Sequence, residues 1–198
     1  MSTLKVYGIP QSRAARTLWM VEECGVPYEL VSTHYSKEAK TDAYRALNPN
    51  GRVPTIDDGG VIVWESMAIN LYLAKKYGGD LAPKNLTEEA HANQWSFWVM
   101  TEVEKAALGA LMARGAKDDA QAAKALGDLR APLGVLNAQL AKSEYLLGSR
   151  FTVADLNVVS VLNWVTAARV NLSEWPKVEA WLAKCQGRAA AQKVRAMR

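Results

Sequence analysis

The stretch Asn48-Pro49-Asn50-Gly51-Arg52-Val53-Pro54 constrains this 198-residue chain more than any other. Val53-Pro54 opens a short β-rich run. Because proline cannot donate to a sheet ladder, the pair is expected at a sheet edge, a strand start or a bend. A bend there leaves a neighbouring backbone amide and carbonyl free. The sequence therefore predicts that an extended, peptide-like ligand pairs with Val53 as an added strand.

The pair Glu65-Ser66 follows Pro54 by eleven residues and stands at the start of an apolar helix over residues 66 to 77. The free N–H groups and the dipole at a helix start attract carboxylates, so Ser66 is a candidate carboxylate site. Glu65 beside it is suited to pair with an ammonium group. Together the two residues predict a site for an α-amino acid zwitterion.

Residues 4 to 77 resemble the N-terminal domain of the soluble glutathione transferases, and the chain as a whole is similar to bacterial phi- and theta-like members. Five further segments carry the resemblance: Leu4-Lys5-Val6-Tyr7-Gly8, Arg16-Thr17-Leu18-Trp19, Val26-Pro27-Tyr28-Glu29, Ala46-Leu47-Asn48-Pro49 and Phe151-Thr152-Val153-Ala154-Asp155. The resemblance implies that Pro54 is cis and that the backbone of Val53 binds the cysteinyl part of glutathione. It also implies that Glu65 and Ser66 bind the γ-glutamyl group.

The first half of the chain alternates short β-branched runs with helical periodicity, which predicts an α/β domain with a mostly parallel sheet. Strands are expected near residues 3 to 8, 28 to 33, 54 to 57 and 61 to 64, and helices near 13 to 24, 38 to 46 and 66 to 77. Asp57-Asp58-Gly59-Gly60 supplies a hairpin turn between the last two strands. The order β-α-β-α-β-β-α is thioredoxin-like.

An all-helical domain is expected to follow, because apolar residues recur at spacings of three and four beyond Thr87. Turn-forming residues between 80 and 87 indicate a linker, so the domains are predicted at 1–79 and 88–198. Helices are expected near residues 88 to 114, 119 to 141, 153 to 168, 175 to 185 and 188 to 196. Thr152 and Asp155 have the spacing of a capping box, which favours a structural role for that acidic residue.

Ser12 is the candidate for activating the glutathione thiol. The loop after the first strand brings it to the start of the first helix, where a hydroxyl and free N–H groups can stabilise a thiolate. Ser12 also occupies the position of the activating serine in phi- and theta-type relatives. Two alternatives stay open: Ser12 is only a helix cap, or Tyr7 activates the thiol, as a strand tyrosine does in alpha, mu and pi relatives.

Two basic residues are candidates for binding the glycine carboxylate of glutathione. The resemblance aligns Lys40 with such a residue, while a solvated lysine, Lys37 or Arg13 are alternatives. Arg52 stands where many relatives have glutamine, and it either binds this carboxylate or lies on the rim of the site.

The electrophile is expected between the domains, against apolar walls suited to apolar substrates. The candidate pocket residues are Ile9, Gln11, Trp98, Met100 and Thr101. Gln11 and Arg13 flank Ser12, so the loop has no cysteine for thiol–disulfide exchange.

Charge and cysteine usage exclude several function classes. The net charge is +4, and residues 1 to 80 are balanced, with nine basic and nine acidic side chains. The basic excess lies near the C-terminus without aromatic partners, which favours a solvated helix face over a nucleic-acid or membrane surface. Cys24 and Cys185 are too far apart in sequence to encode a metal site, and no metal is expected. No signal sequence or membrane span is apparent, so a cytoplasmic protein is expected.

The resemblance implies an enzyme that activates glutathione as a thiolate for attack on hydrophobic electrophiles, with glutathione peroxidase activity as a further possibility. Glutathione is then a co-substrate, no cofactor is expected, and a homodimer is implied. The alternative is a non-catalytic binding or regulatory protein with the same fold. The sequence does not identify the electrophile, because one methylene or hydroxyl group changes the selectivity of an apolar pocket only modestly.

Overall fold

The computed structural model describes residues 3–197, which divide into two compact units. One unit runs up to Ala82 and includes the segment from Arg188 onward, and the other runs from Pro83 to Gly187. The sequence had placed residues 188–198 in the helical domain, of which residue 198 lies outside the described part. The structure instead groups the terminal helix with the first unit.

The first unit consists of a four-stranded sheet with helices, and the expected thioredoxin-like order is confirmed. Its elements are β1 (Leu4–Gly8), α1 (Ala14–Cys24), β2 (Tyr28–Ser32), a 3-10 turn (Glu38–Lys40), α2 (Asp42–Arg45), β3 (Thr55–Asp58), β4 (Val61–Trp64), α3 (Ser66–Tyr77), a second 3-10 turn (Gly79–Leu81) and the terminal α9 (Ala189–Ala196).

The sheet is mixed, with strand order β2-β1-β3-β4. β1 is parallel to β2 but antiparallel to β3, and β3 is antiparallel to β4, so the expectation of a mostly parallel sheet was wrong. The reason is the length of α2. A helix of four residues is only about 6 Å long, which is too short to return the chain along the sheet. The chain therefore enters β3 at the edge where β2 ends.

Helix α1 buries one face against the unit's core and presents its first turn at the edge where β1 ends. Leu18, Met20 and Val21 are fully buried, as are Ile69 and Leu73 of α3. The helix ends at a left-handed glycine, the residue best suited to that conformation. Packing on both sides thus fixes the axis of the helix that follows the Ser12 loop.

The second unit is all helical, as expected. Its helices are α4 (Leu86–Trp98), α5 (Glu104–Ala116), α6 (Asp119–Leu140), α7 (Val153–Ala167) and α8 (Pro176–Gln186). Asp155 accepts from the Thr152 N–H at 3.0 Å, which confirms the capping box. Across residues 3–197, no helix combines the length and the apolar character needed to cross a bilayer.

A π-helical turn at Val99–Val103 divides the long helix that was expected over residues 88 to 114. Such turns leave carbonyl groups without their regular i+4 partner, and they occur often at functional sites. The Thr101 hydroxyl shares its single proton between the carbonyls of Phe97 and Trp98, which lie 3.2 and 3.3 Å away. Sequence periodicity does not register this turn, because it changes the phase of the helix by only one residue.

Helix α9 is held against α1 by two ion pairs. Arg188 donates through Nε and Nη2 to the two carboxylate oxygens of Glu23 at 2.7 and 2.8 Å, and Lys193 Nζ lies 2.7 Å from Glu22. These contacts explain why the terminal helix joins the first unit. They also neutralise part of the C-terminal basic excess within the chain.

Candidate functional site at the sheet edge

Three segments that were predicted to bind glutathione leave the sheet at the same edge. Tyr7 of β1 pairs with Thr55 of β3, and Thr55 pairs with Trp64 of β4, so the three residues form one row across the sheet. The loop with Ser12 follows this row on β1. Val53-Pro54 precedes it on β3, and Glu65-Ser66 follows it on β4.

The loop between β1 and α1 is compact because Gly8 lies against the helix. A Cβ at Gly8 would stand 2.3 Å from the Cβ of Ala14, so only glycine permits this approach. Within the loop, Ser12 Oγ donates to the carbonyl of Ile9 at 2.7 Å and accepts from the Ala14 N–H at 3.1 Å. The half-buried Ser12 hydroxyl is thus oriented at the start of α1.

Tyr7, the other candidate for thiol activation, packs its ring edge-on against Tyr44 with centroids 6.1 Å apart. Its hydroxyl makes no hydrogen bond within residues 3–197. The structure thus orients the Ser12 hydroxyl through two hydrogen bonds and leaves that of Tyr7 without one. The choice between the two residues stays a prediction.

The Val53-Pro54 peptide bond is cis, as the resemblance implied. Val53 is buried at 8% exposure, and neither its N–H nor its carbonyl forms a hydrogen bond within the described residues. The preceding Gly51 has a φ of 57°, and a Cβ there would lie 2.8 Å from the carbonyl oxygen of Ala39. The backbone of Val53 is therefore available to an extended ligand.

Tyr44 and Asn48 hold this turn from inside, a role that sequence reasoning missed. The Tyr44 hydroxyl donates to the carbonyl of Arg52 at 2.7 Å, and Asn48 Nδ2 donates to the same oxygen at 2.8 Å. Both side chains also contact Thr55 Oγ1, at 2.8 and 3.2 Å. The Asn48-Pro49-Asn50-Gly51 turn signal marked the segment but not these contacts.

Lys40 and Arg52, the predicted carboxylate-binding residues, both reach this turn. Lys40 Nζ donates to the carbonyl of Gly51 at 2.7 Å, which places its ammonium group beside the turn. Arg52 has an exposed side chain next to it. The alternatives Lys37 and Arg13 are also exposed, so the choice among these cations stays a prediction.

Glu65 and Ser66 connect β4 to α3 in a strained conformation. Glu65 has φ 72° and ψ 114°, a combination that L-residues other than glycine seldom adopt. Ser66 is the first residue of α3 and is 4% exposed. The outlier at a predicted binding residue supports a functional role, because such strain is retained where geometry matters.

Arg16 is a third residue whose role at the site the sequence did not predict. It is 2% exposed, and its Nη1 lies 3.5 Å from Ser66 Oγ. Its carbonyl accepts from Asn70 Nδ2 at 3.4 Å. A buried guanidinium beneath the start of α3 adds positive potential where a carboxylate is expected.

Asp58 is the last residue of β3, at the opposite end of the strand from Val53-Pro54, and it is hydrogen-bonded to α3. Burial alone raises the pKa of the Asp58 carboxyl, but hydrogen bonds from Lys76, Tyr72 and Tyr77 outweigh it, so its pKa lies below the ordinary value. Asp58 therefore stays ionised and ties β3 to the helix that begins at Ser66.

Cys24, at the end of α1, has a thiol of low reactivity. Burial, with a contribution from the negative charge of Glu23, raises the pKa of its thiol to about 11. Because the thiolate is the reactive form, Cys24 is a poor nucleophile at neutral pH. Cys185 is buried as well. These environments agree with chemistry that uses the sulfur of a ligand.

The predicted electrophile-contacting residues lie in the two units described above. Ile9 and Gln11 belong to the β1–α1 loop, where Gln11 is exposed. Met100 and Thr101 lie within the π-helical turn and Trp98 directly before it. The Trp98 ring packs edge-on against Trp95 at 5.0 Å between centroids.

A cleft of about 420 Å³ lies within the helical unit, among α5, α6 and the segment after α7. Small side chains, including Ala110, Ala113 and Ala122, form much of its lining. It contains none of the predicted site residues, so it plays no part in the glutathione site.

A thioredoxin-like unit joined to an all-helical unit is the architecture of the soluble glutathione transferases, and direct comparison agrees. Residues 2–75 match the family model of the glutathione S-transferase N-terminal domain, and residues 97–189 match that of the C-terminal domain. The chain belongs to the glutathione S-transferase family.

Individual relatives span nearly the whole chain. Glutathione S-transferase 3 of Zea mays is 34% identical, with 98% of this chain and 93% of the relative covered. The theta class glutathione S-transferase of Xanthomonas axonopodis pv. citri, solved with glutathione bound, is 33% identical with a TM-score of 0.86, covering 98% of this chain and 97% of that one. Glutathione S-transferase I from maize, in complex with an atrazine glutathione conjugate, is 31% identical with a TM-score of 0.88, covering 99% and 98%.

Proposed function

We propose that this protein conjugates glutathione to hydrophobic electrophiles, and that the Ser12 hydroxyl stabilises the glutathione thiolate. The observation that carries the proposal is the convergence of three segments at one sheet edge: the Ser12 loop, the unpaired backbone of Val53, and Ser66 at the start of α3. An extended tripeptide with a central thiol and a terminal amino acid group is complementary to this arrangement.

Each part of glutathione has a proposed partner. The cysteinyl part pairs with the backbone of Val53 beside Pro54, and the γ-glutamyl group binds Glu65 and Ser66. Lys40 and Arg52 bind the glycine carboxylate. The charges support this division, because Arg16 lies beneath Ser66 and Lys40 is fixed beside the Gly51 carbonyl.

The residues proposed to contact the electrophile are Ile9, Gln11, Trp98, Met100 and Thr101. Trp98 and Met100 are half-buried and supply apolar surface. The same thiolate is proposed to reduce organic hydroperoxides: its sulfur attacks a peroxide oxygen, the O–O bond breaks, and the alkoxide takes up a proton and leaves as an alcohol. A second glutathione then reacts with the glutathione sulfenic acid to give glutathione disulfide and water.

The protein is further proposed to be a bacterial, phi- or theta-like member that acts in the cytoplasm. Its likeness to the theta class enzyme of Xanthomonas axonopodis pv. citri supports this grouping. In the proposed division of the chain, residues 1–79 bind glutathione, residues 80–87 form a linker, and residues 88–198 form the domain that lines the electrophile site.

A homodimer is proposed on the basis of exposed apolar side chains. Val61 and Trp64, on the edge strand β4, are 48% and 40% exposed, and Phe97 of α4 is 69% exposed. An exposed apolar edge strand such as β4 is a surface that proteins cover by association. Light scattering at micromolar concentration tests this, and a monomeric mass would remove the proposal.

The proposed function is tested by titrating the purified protein with glutathione and screening it against aryl halides, epoxides, isothiocyanates and hydroperoxides. Glutathione binding with turnover of at least one electrophile is expected. Binding without turnover across the screen would favour a non-catalytic binding protein. Absence of glutathione binding would overturn the proposed site.

A further inference from the structure

The peptide group between Arg52 and Val53 is fixed by the side chains of Tyr44 and Asn48, in contacts that the sequence did not predict. Its carbonyl oxygen accepts from the Tyr44 hydroxyl at 2.7 Å and from Asn48 Nδ2 at 2.8 Å. Tyr44 is 6% exposed and Asn48 2%. Two buried donors therefore converge on one backbone oxygen directly before the residue proposed to pair with glutathione.

Only one arrangement of protons satisfies this network. The single Tyr44 hydroxyl proton goes to the Arg52 carbonyl, so Thr55 Oγ1 donates to the Tyr44 oxygen. The Asn48 amide gives one proton to Arg52 and the other to Thr55, while its oxygen accepts from the Asn50 N–H at 3.1 Å. Burial raises the pKa of Tyr44, which keeps its hydroxyl protonated and donating.

These bonds satisfy buried polar groups of Tyr44 and Asn48, and they also fix an orientation. In a planar trans peptide the C=O and N–H bonds point in opposite directions, so anchoring the Arg52 oxygen directs the Val53 N–H away from the network. The same anchoring polarises the peptide and strengthens that N–H as a donor.

We propose that Tyr44 and Asn48 are positioning residues for glutathione, which hold the Val53 N–H in the direction required to pair with the cysteinyl carbonyl. The inference rests on the proposed function. Neither side chain touches glutathione in this scheme, because both act through the Arg52–Val53 peptide. The Val53 N–H is free for this role, since it has no partner within residues 3–197.

The decisive variant is Tyr44→Phe, which removes one donor and preserves the ring. The dissociation constant for glutathione, measured by calorimetry, and KM for glutathione are expected to rise about three- to tenfold, the range for one lost hydrogen bond. The kcat at saturating glutathione is expected to stay within about twofold, and KM for the electrophile to stay unchanged. Asn48→Ala is expected to show the same split, with a larger rise.

Two further variants separate positioning from general stability. Tyr35→Phe makes the same chemical change on an exposed ring whose hydroxyl has no hydrogen bond within the described residues, and it is expected to match the wild type. Thr55→Val removes a neighbour of both donors but leaves both Arg52 contacts possible. It is expected to lower the unfolding temperature with a smaller rise in KM than Tyr44→Phe.

The outcomes are distinguishable. If Tyr44→Phe lowers the unfolding temperature but binds glutathione as the wild type does, the network is only structural and the inference is wrong. If Asn48→Ala does not fold, Tyr44→Phe decides alone. If the wild type itself does not bind glutathione, the proposed function fails and the inference fails with it.

Discussion

Ser12 and Ile9 share the only proton of the Ser12 hydroxyl, which Oγ donates to the Ile9 carbonyl at 2.7 Å. The hydroxyl can donate a hydrogen bond to a thiolate only after the O–H bond rotates away from Ile9. That rotation is favourable, because a neutral hydrogen bond contributes about 1 kcal/mol and one to a charged acceptor about 1.5–3 kcal/mol. A neutral thiol offers no such gain, so the hydroxyl distinguishes the two forms of bound glutathione.

Ser12→Ala is therefore expected to leave glutathione affinity nearly unchanged while raising the pKa of the bound thiol. Because the bond to Ile9 is given up in exchange, the thiolate loses a net stabilisation of about 0.5–2 kcal/mol, which predicts conjugation about two- to thirtyfold slower at neutral pH, recovering partly as the pH rises. The rate against pH and the ultraviolet absorbance of the thiolate both measure the change.

Tyr7→Phe is the comparison for this experiment, because the Tyr7 hydroxyl makes no hydrogen bond within residues 3–197. It is expected to shift the thiolate titration little. A shift with Tyr7→Phe and none with Ser12→Ala would assign the activating hydroxyl to Tyr7.

Glu65→Gly is expected to stabilise the protein and weaken glutathione binding together. Glycine adopts the φ of 72° with less strain than glutamate, and this relief of about 1–3 kcal/mol outweighs the cost of about 0.5–1 kcal/mol that glycine carries through the flexibility of the unfolded chain, which predicts a net gain of about 1 kcal/mol in the free energy of unfolding. The proposed carboxylate for the ammonium group is lost at the same time. Urea unfolding and calorimetry measure the two effects, and Glu65→Gln, which keeps the strain and removes the charge, separates them. Unchanged affinity in both variants would contradict the γ-glutamyl site.

Local chemistry made much of the sheet and of the site segments predictable. The conformations of the Val53-Pro54 pair and of the Asp57–Gly60 turn follow from the backbone preferences of proline, aspartate and glycine at those positions. Tyr44, Asn48 and Arg16 were missed because their roles depend on tertiary partners: Arg16 meets Ser66 across fifty positions of sequence. The return of α9 to α1 was missed for the same reason, since the pairing of Arg188 with Glu23 leaves no periodic signal.

Arg188→Met is expected to lower the free energy of unfolding by about 1–3 kcal/mol, because it leaves the Glu23 carboxylate, which is 7% exposed, without its bidentate partner. Arg130→Met removes a bidentate pair of similar geometry with Glu174, but both side chains there are more than half exposed. That change is expected to cost less than about 1 kcal/mol. Equal effects of the two variants in urea unfolding would show that burial of Glu23 does not govern the contribution of α9.

Asp58→Asn is expected to destabilise the protein in a manner that depends on pH. Hydrogen bonds from Lys76, Tyr72 and Tyr77 hold the folded-state pKa of Asp58 below the unfolded value of about 3.9. The folded state therefore binds this proton more weakly, so the stabilisation by Asp58 is fully present above about pH 4 and is lost as the pH falls through the folded-state pKa. The variant should be about 1–2 kcal/mol less stable than the wild type at pH 7, and the difference should shrink below pH 4.

Asp128→Asn, which alters an exposed ion pair with Lys124, is the matched control and is expected to change stability by less than about 0.5 kcal/mol at either pH. A constant difference between wild type and Asp58→Asn from pH 7 to pH 3 would show that the charge of Asp58 does not anchor α3 to the sheet.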